Sequence, residues 1–421
     1  MTEHILDELA WRGLIAQTTS EEQLRAALDQ GPLSLYCGFD PTAPSLHHGH
    51  LVQLVLLRHL QRAGHKVHPL VGGATGMIGD PRMSGERVLN TKDTVAEWVE
   101  RLRAQISRFL DFEGDNAAVM VNNLDWTGDL TAIDFLREVG KHFRLGTMLA
   151  KDTVARRLAS EEGISFTEFS YQVLQGNDYL ELHRRHGVSL QTGGNDQWGN
   201  LLSGVELIRK AEGTAVHAMT TPLITKADGT KFGKTEGGAV WLAPDMMSPY
   251  AFYQFWINTD DADVVRFLKI FTFLTREEIE ALEAAVAAEP FRREAQRALA
   301  WEVTSLVHGE AAAQGAIDAS QALFGRGELA ALDEPTLAGC AQELGGVVLE
   351  PGATVVDALV ASGVVDSKSA ARRAVQEGGA YVNNVRVDDA ELALAPEHGL
   401  AGGWIVMRRG KKSVGLARLA S

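Results

Sequence analysis

Two separated blocks, His47-His48-Gly49-His50 and Lys231-Phe232-Gly233-Lys234-Thr235, bring together imidazoles, a backbone without a side chain and two ammonium groups. His47 and His50 stand at i and i+3, so at a helix start they point to one side. Gly49 between them lets a flat ring approach the backbone. A helix N-terminus adds partial positive charge and N–H groups suited to phosphate. Lys226 to Thr235 reads as a flexible cationic loop able to close over a polyphosphate. Each block alone has an ordinary explanation, a helix cap for one and a solvated turn for the other. Together they describe a site for a nucleoside triphosphate built without a P-loop, since no G-x-x-x-x-G-K-[ST] pattern occurs.

A third constellation runs from Phe166 to Asp178. Tyr171, Gln175 and Asp178 fall at i, i+4 and i+7, one stripe of a helix, while Phe169 and Val173 form an apolar stripe for the core. A phenol, an amide and a carboxylate on one face suit a small ligand bearing an ammonium and a hydroxyl. Tyr36 could close such a pocket. Gly193 to Asn200 follows a strand, and its carboxylate and amide could hold ribose hydroxyls. Arg82 and Arg87 flank Ser84-Gly85 and could meet phosphate. Solvent-facing stripes and turns are the plainer alternatives for all three.

The elements that must position these residues are legible in outline. Leu33 to Phe39 reads as a buried strand between Gly31-Pro32 and Asp40-Pro41. A helix should open near His48 and stop at Gly64, and Lys66 to Val71 is the next strand. Strand, helix, strand predicts a βαβ unit and a parallel sheet, with ligands at the carboxyl ends of its strands. Asp40, the histidine block and the loop Gly72 to Asp80 all fall there. Further strands are expected at Ala118–Asn122, Ser189–Thr192 and Leu223–Thr225. From Ser248 to Phe324 the pattern is helical. A small module from about Thr354 should hold two short helices, Val355–Ser362 and Lys368–Glu377, then two strands about a turn at Asn383-Asn384. The expected class is α/β, a Rossmann-like parallel-sheet catalytic domain followed by an α-helical domain and a small α+β RNA-binding module. The boundaries read as 1–228, then 229–325 for the lysine loop and helical domain, a linker at 326–351, and the module at 352–421.

Composition narrows the partners. With 421 residues, 45% hydrophobic and 23% charged, the chain is globular and long enough for two or three domains. No run of eighteen uncharged apolar residues suggests a membrane span. The acidic start, with Glu3, Asp7 and Glu8, is wrong for a secretory or transit segment. Cys37 and Cys340 are too few for a disulfide framework or a metal site, which points to a reducing cytoplasm. The net charge is −15, yet residues 351–421 hold nine Lys or Arg against seven Asp or Glu. Arg408, Arg409, Lys411 and Lys412 lie almost side by side there, so a basic end that binds RNA is compatible with an acidic body.

The two opening blocks resemble the HIGH and KMSKS signatures of class I aminoacyl-tRNA synthetases. Leu35 to Thr42, Gly72 to Pro81, Phe166 to Gln175, Gly193 to Gly199 and Phe252 to Trp256 are similar to bacterial-type tyrosyl-tRNA synthetases, and the likeness covers essentially the whole chain. The C-terminal module resembles an RNA-binding fold shared with a small-subunit ribosomal protein. His48 stands where the signature has an apolar residue, and Phe232-Gly233 where it has Met-Ser. The resemblance implies that Tyr36 and Asp178 bind the phenolic hydroxyl of L-tyrosine and that Tyr171, Gln175 and Asp80 hold its ammonium. Gln197 would lie near the carboxylate. It implies an ATP site made by Cys37, Gly38, Asp40, Gly49, Gly194, Asp196 and Lys234, with Thr42, His47, His50, Lys231 and Lys234 acting on the phosphates. Mg²⁺ would come with ATP, no dedicated protein metal site is implied, and tRNA(Tyr) and a second copy of the chain would be the partners. A tryptophanyl-tRNA synthetase, a nucleotidyltransferase of the same superfamily and an RNA-binding scaffold without activity are the alternatives at this point.

Overall fold

The computed structural model describes residues 4–82, 85, 89–230, 232–235, 238–410 and 413–420. Ser84, Arg87, Lys231, Lys411 and Lys412, all singled out above, lie outside the described residues. The chain divides into two compact units, Met1–Leu242 with Arg266–Thr275, and Ala243–Val265 with Arg276–Ser421.

The first unit is built on a six-stranded sheet. Its strands are β1 (Gln17–Thr18), β2 (Ser34–Phe39), β3 (Lys66–Val71), β4 (Val121–Asn122), β5 (Val188–Gly194) and β6 (His217–Thr221), in the spatial order β1-β6-β5-β2-β3-β4. Only β1 is antiparallel to its neighbour; the other pairs are parallel, as the βαβ reading requires. From β2 the chain builds outward through β3 and β4, then returns to lay β5 and β6 on the other side of β2. The sheet order therefore reverses between β2 and β5, and a crevice opens at their carboxyl ends. Tyr36 sits opposite His68 of β3 and Gln191 of β5, in the middle of this sheet.

Two strands differ from expectation, and one of them, β4, is only Val121–Asn122 where Ala118–Asn122 is expected. The sixth is His217–Thr221, not Leu223–Thr225. Pro222 follows it directly and has no N–H to donate, so the parallel ladder ends there.

Helix α1 (His48–Arg62) buries residues on nearly every side, among them Leu51, Leu54, Val55 and Leu57, as a helix packed inside a unit must. Helix α2 (Lys92–Ile106) is amphipathic and buries only Val95, Val99, Leu102 and Ile106. Helix α3 (Phe166–His186) starts where the Ser165 side chain accepts from the Glu168 N–H, and it ends at Gly187. Its last turn carries His183, Arg184, Arg185 and His186, the sign that suits the negative end of the helix dipole. Helix α4 (Trp198–Glu212) follows β5 after one short turn. Two short strands, β7 (Lys234–Thr235) and β8 (Gly238–Ala239), pair antiparallel beyond the sheet.

The second unit is helical first. Pro249–Ile257, Glu294–His308, Glu310–Ala322 and Glu334–Leu344 are helices, and Ala313, Ala316, Ala319 and Ala322 supply one small, buried stripe. Its five-stranded sheet holds β9 (Val347–Leu349), β10 (Ala380–Val382), β11 (Val385–Arg386), β12 (Trp404–Arg409) and β13 (Ser413–Leu419), ordered β11-β10-β12-β13-β9. Two helices, Val355–Ala361 and Lys368–Gln376, close a core with Ile405, Met407 and Ala417. The expected turn is present, with Asn383 at φ 47° and Asn384 at φ 64°, the conformation a two-residue hairpin loop demands. The basic run there is not one continuous face. Arg408 is buried, stacks 4.2 Å from the Tyr381 ring centre and donates to Asn384 and to the Gly410 carbonyl, whereas Arg409 is exposed. Alternation along β12 puts these neighbours on opposite faces.

Candidate active site

Tyr36 and Asp178 both lie in the interior of the first unit. They are only 1% and 2% exposed. The Tyr36 ring lies 5.3 Å from that of Tyr179, its hydroxyl is buried without a hydrogen-bond partner, and the Asp178 charge acts on it. Asp178 is held from two sides. Trp126 donates its indole N–H to Oδ1 at 2.8 Å, and Asn123 donates its amide to Oδ2 at 3.0 Å. Burial pushes the Asp178 carboxyl up to about 7, with these two donors opposing the shift. The buried Oε1 atoms of Gln175 and Gln191 likewise have no partner. Buried polar atoms without partners are rare in folded proteins, and several on neighbouring elements suit a polar guest.

A chain of hydrogen bonds leads from Asp178 toward the strand ends. Asn123 also donates to Thr75 Oγ1 at 2.8 Å, Thr75 donates to Asp40 Oδ1 at 2.7 Å, and the Tyr171 hydroxyl donates to Asp40 Oδ2 at 2.6 Å. Asp40 thus binds β2 to α3 in addition to facing the crevice.

A second carboxylate, Asp80, lies on the loop after β3. Gln197 donates to its Oδ2 at 2.7 Å and Asn200 to its Oδ1 at 3.1 Å. Burial pushes Asp80 up to about 6 against those two hydrogen bonds, with Asp40 and Asp196 adding to the rise. Lys151, pushed down to about 8 by burial and drawn back by Asp80, donates to the Gly199 carbonyl and to Ser203. Asp40, Asp80 and Asp178 all act on the Tyr171 hydroxyl, so the two carboxylates, one near a phenol and one fixed by amides, lie around one ring.

The histidine block is itself a helix cap. His47 Nδ1 accepts from the Gly49 N–H at 3.0 Å, and His50 Nδ1 accepts from the His47 N–H at 3.1 Å. Each bond assigns the ring proton to Nε2, because a neutral imidazole whose Nδ1 accepts must carry its hydrogen on the other nitrogen. The two rings stack at 4.0 Å. A Cβ on Gly49 would sit 2.9 Å from His47 Cε1, so only glycine lets the ring fold back over the cap. Burial lowers both histidines, His50 well below its ordinary value. The rings are neutral donors near pH 7. Positive charge must come from elsewhere.

The remaining predicted residues divide clearly. Thr42 and Asp196 are exposed at the crevice, and Gly194 precedes Asp196 so closely that a Cβ would lie 2.5 Å from its Oδ1. Gly38 is exposed at the end of β2, between Cys37 and Phe39. Cys37 points into the unit, with Sγ 3.8 Å from Gln53 Oε1, and burial pushes its thiol up to about 12. Arg82 is exposed, and its carbonyl accepts from Arg157, whose guanidinium also pairs with the equally buried Glu168 at 2.9 Å. Lys234 lies in β7, after Phe232-Gly233. Among the described residues no group of three or more His, Cys, Asp or Glu is placed to hold a metal ion.

Sequence reasoning missed Asn123, Trp126, Thr75, Asn200 and Lys151. Asn123 and Trp126 had a weak signal, being polar-capable residues just beyond a strand end. The others come from register alone.

The chain matches the family model for class I tRNA synthetases of tryptophan and tyrosine over residues 28–325, and the tyrosine–tRNA ligase SYY-like C-terminal domain over residues 340–417. It is 62% identical to the tyrosine–tRNA ligase of Leifsonia xyli over 413 residues, covering 98% of this chain and 93% of that one. Against the tyrosine–tRNA ligase of Streptomyces coelicolor it is 61% identical over 411 residues, covering 97% of each. Among solved structures it is similar to a C-terminally truncated mitochondrial tyrosyl-tRNA synthetase of Aspergillus nidulans, with a TM-score of 0.70, 30% identity, and 76% of this chain and 94% of that one covered. The chain belongs to the class I tRNA synthetases, and within them to the tyrosine–tRNA ligase family.

Proposed function

We propose that the chain activates L-tyrosine with ATP to tyrosyl-adenylate and pyrophosphate, then transfers the tyrosyl group to the 3′ end of tRNA(Tyr). The observation that carries this reading is the buried Asp178 carboxylate, gripped by Asn123 and Trp126 and acting on the Tyr36 hydroxyl. A phenolic hydroxyl can donate to the carboxylate and accept from the Tyr36 hydroxyl, whereas an indole N–H donates and accepts nothing, so the pair favours a phenol. Asp80 and Tyr171, with Gln175, would take the ammonium, and Gln197 would lie by the carboxylate. Tyrosine-dependent ATP–pyrophosphate exchange, run beside tryptophan and phenylalanine, tests the reading. Exchange with tyrosine alone supports it, and exchange with tryptophan alone contradicts it.

In the first step the tyrosine carboxylate attacks the ATP α-phosphorus in line and pyrophosphate leaves. The nucleophile is already ionised, so no general base is needed, and positioning with electrostatic stabilisation must supply the rate. Neutral His47 and His50 donate from Nε2 without adding charge, and Thr42 adds a hydroxyl. Lys231 and Lys234 supply the charge that balances the departing pyrophosphate. Asp40, Asp196 and Cys37, with the backbone at Gly38, Gly49 and Gly194, make the nucleotide side. Mg²⁺ would travel with ATP, held mainly by phosphate oxygens, since no protein cage is formed among the described residues.

The domain roles follow, with residues 1–228 catalytic, 229–325 carrying the lysine loop and helices that meet tRNA, and 352–421 an RNA-binding module whose sheet takes one strand, β9, from the 326–351 segment. Two buried, unpaired cysteines favour a reducing cytoplasm, and among the described residues no helix is long and apolar enough to cross a membrane.

The raised carboxyls give a pH dependence with a definite sign. Both Asp178, at about 7, and Asp80, at about 6, must be ionised to accept from a phenol or pair with an ammonium. Tyrosine affinity is expected to fall as pH drops from 8 through 6. Trp126→Phe removes a donor that opposes the rise, so its midpoint moves upward and binding at pH 7 weakens about tenfold. Equilibrium dialysis across pH checks this, and a flat profile contradicts it. Folding linkage runs the other way: with an ordinary value of 3.8 raised to about 7, Asp178 withdraws stability as pH rises through that window.

A homodimer is the assembly we propose. Ile133, Leu136, Leu145, Leu149, Leu158 and Phe166 are exposed, all within one stretch between β4 and the start of α3, and Phe166 is 76% exposed. Solvent-facing apolar side chains gathered in one segment mark a protein interface. Ile133→Asp with Leu136→Asp is expected to give a monomer by sedimentation where the unaltered chain sediments as a dimer.

A further inference from the structure

His48 occupies the position where the histidine signature ordinarily has an apolar side chain, and its surroundings give it a task. Its backbone N–H donates to the Val240 carbonyl at 2.9 Å. Leu242 donates to the Leu46 carbonyl at 2.9 Å, and His47 bridges antiparallel to Trp241. The segment just beyond the lysine loop is therefore zipped onto the histidine block. The ring of His48 reaches the loop itself. It meets the Phe232 ring edge-on, with centroids 5.3 Å apart and planes at 88°. Phe232 is buried and packs 4.3 Å from Phe267. Gly233 has φ +80°, and a Cβ built there would lie 2.0 Å from His48 Cε1. The imidazole fills the space a side chain at 233 would need. Aliphatic packing would supply the volume but not the edge-on ring contact.

We propose that His48 is a positioning residue for the phosphate-binding loop: its ring seats Phe232-Gly233, and thereby fixes the backbone that leads into Lys234. The inference rests on the activation chemistry above and deepens it. A ring that served only to fill the interior would affect stability and tyrosine binding alike. A ring that seats the loop acts through the lysines, and so must lose its effect when a lysine is gone.

The test uses the full chain and four variants, His48→Ala, His48→Phe, Lys234→Ala and the double variant His48→Ala with Lys234→Ala. Hydrogen–deuterium exchange is read on peptides spanning 226–240, and tyrosine-dependent ATP–pyrophosphate exchange is read beside tyrosine binding. His48→Ala should speed amide exchange around Phe232 and Gly233 several-fold. It should lower kcat/KM for ATP roughly 10–100-fold, the scale of a reacting group misplaced by about an ångström, with the tyrosine Kd unchanged. In the Lys234→Ala background the same substitution should cost less than about threefold. His48→Phe, which keeps a flat ring against Phe232, should recover most of the loss. Unchanged loop exchange in His48→Ala, or an equal loss in both backgrounds, overturns the proposal. An unaltered chain that gives no tyrosine-dependent exchange overturns the activation reading instead, and the amide-exchange result then decides whether His48 seats the loop.

Discussion

Asp178→Asn is expected to lower kcat/KM for tyrosine about 100-fold in ATP–pyrophosphate exchange while changing that for phenylalanine far less. The magnitude follows from what the substitution removes. A hydrogen bond to a charged partner contributes about 1.5–3 kcal/mol, and here the partner is buried, so the loss reaches the upper end. Asparagine keeps the shape of the side chain but presents one neutral oxygen, while Trp126 and Asn123 both arrive as donors. The amide NH₂ would face one of them, leaving two donors opposed in a dry pocket. Phenylalanine brings no hydroxyl and has little to lose. Discrimination between the two amino acids therefore collapses from the tyrosine side. Kinetics with both substrates check it, and an unchanged preference removes Asp178 from the hydroxyl site.

Lys234→Ala is expected to slow adenylate formation by about 10²–10³ while leaving the tyrosine Kd within about twofold. Charge builds on the departing pyrophosphate only as the bond to the α-phosphorus breaks, so a cation aimed there acts on the transition state more than on bound substrates. The histidines cannot replace it. Burial holds His47 and His50 in their neutral forms near pH 7, and their Nδ1 atoms are engaged in capping α1. Single-turnover kinetics beside equilibrium binding separate the two effects, and equal losses in both would mark Lys234 as a plain binding residue.

The parts of this site that were legible in the sequence are those carried by local repeat. The strand–helix–strand opening could be read because Leu33 to Val71 holds its own punctuation at Gly31-Pro32, Asp40-Pro41 and Gly64. Tyr171, Gln175 and Asp178 could be read because α3 has one period along its whole length. The hairpin at Asn383-Asn384 was legible because few residues accept φ above zero twice in succession.

What escaped was set by register between distant strands. Asn123 lies 55 residues before Asp178 and reaches it only because β4 is laid beside β3. Thr75 and Asp40 meet across 35 residues, and no pattern in either segment announces it. Leu223–Thr225 has the composition of a strand, as His217–Thr221 does, but Pro222 between them ends the ladder, so only the first stretch pairs. Arg408 read as one of a basic run, yet its guanidinium spends its donors inside the module. Charge is countable in a sequence, but the face on which it lies depends on a strand's phase.

The most direct measurement is equilibrium dialysis of the unaltered chain with tyrosine and with phenylalanine, without ATP, at pH 8. If a single hydroxyl is read by the buried acid and the neighbouring phenol, tyrosine binds and phenylalanine is rejected by at least two orders of magnitude. Comparable affinity for the two would mean that no group in this pocket reads the hydroxyl, and the assignment of Asp178 and Tyr36 would be wrong.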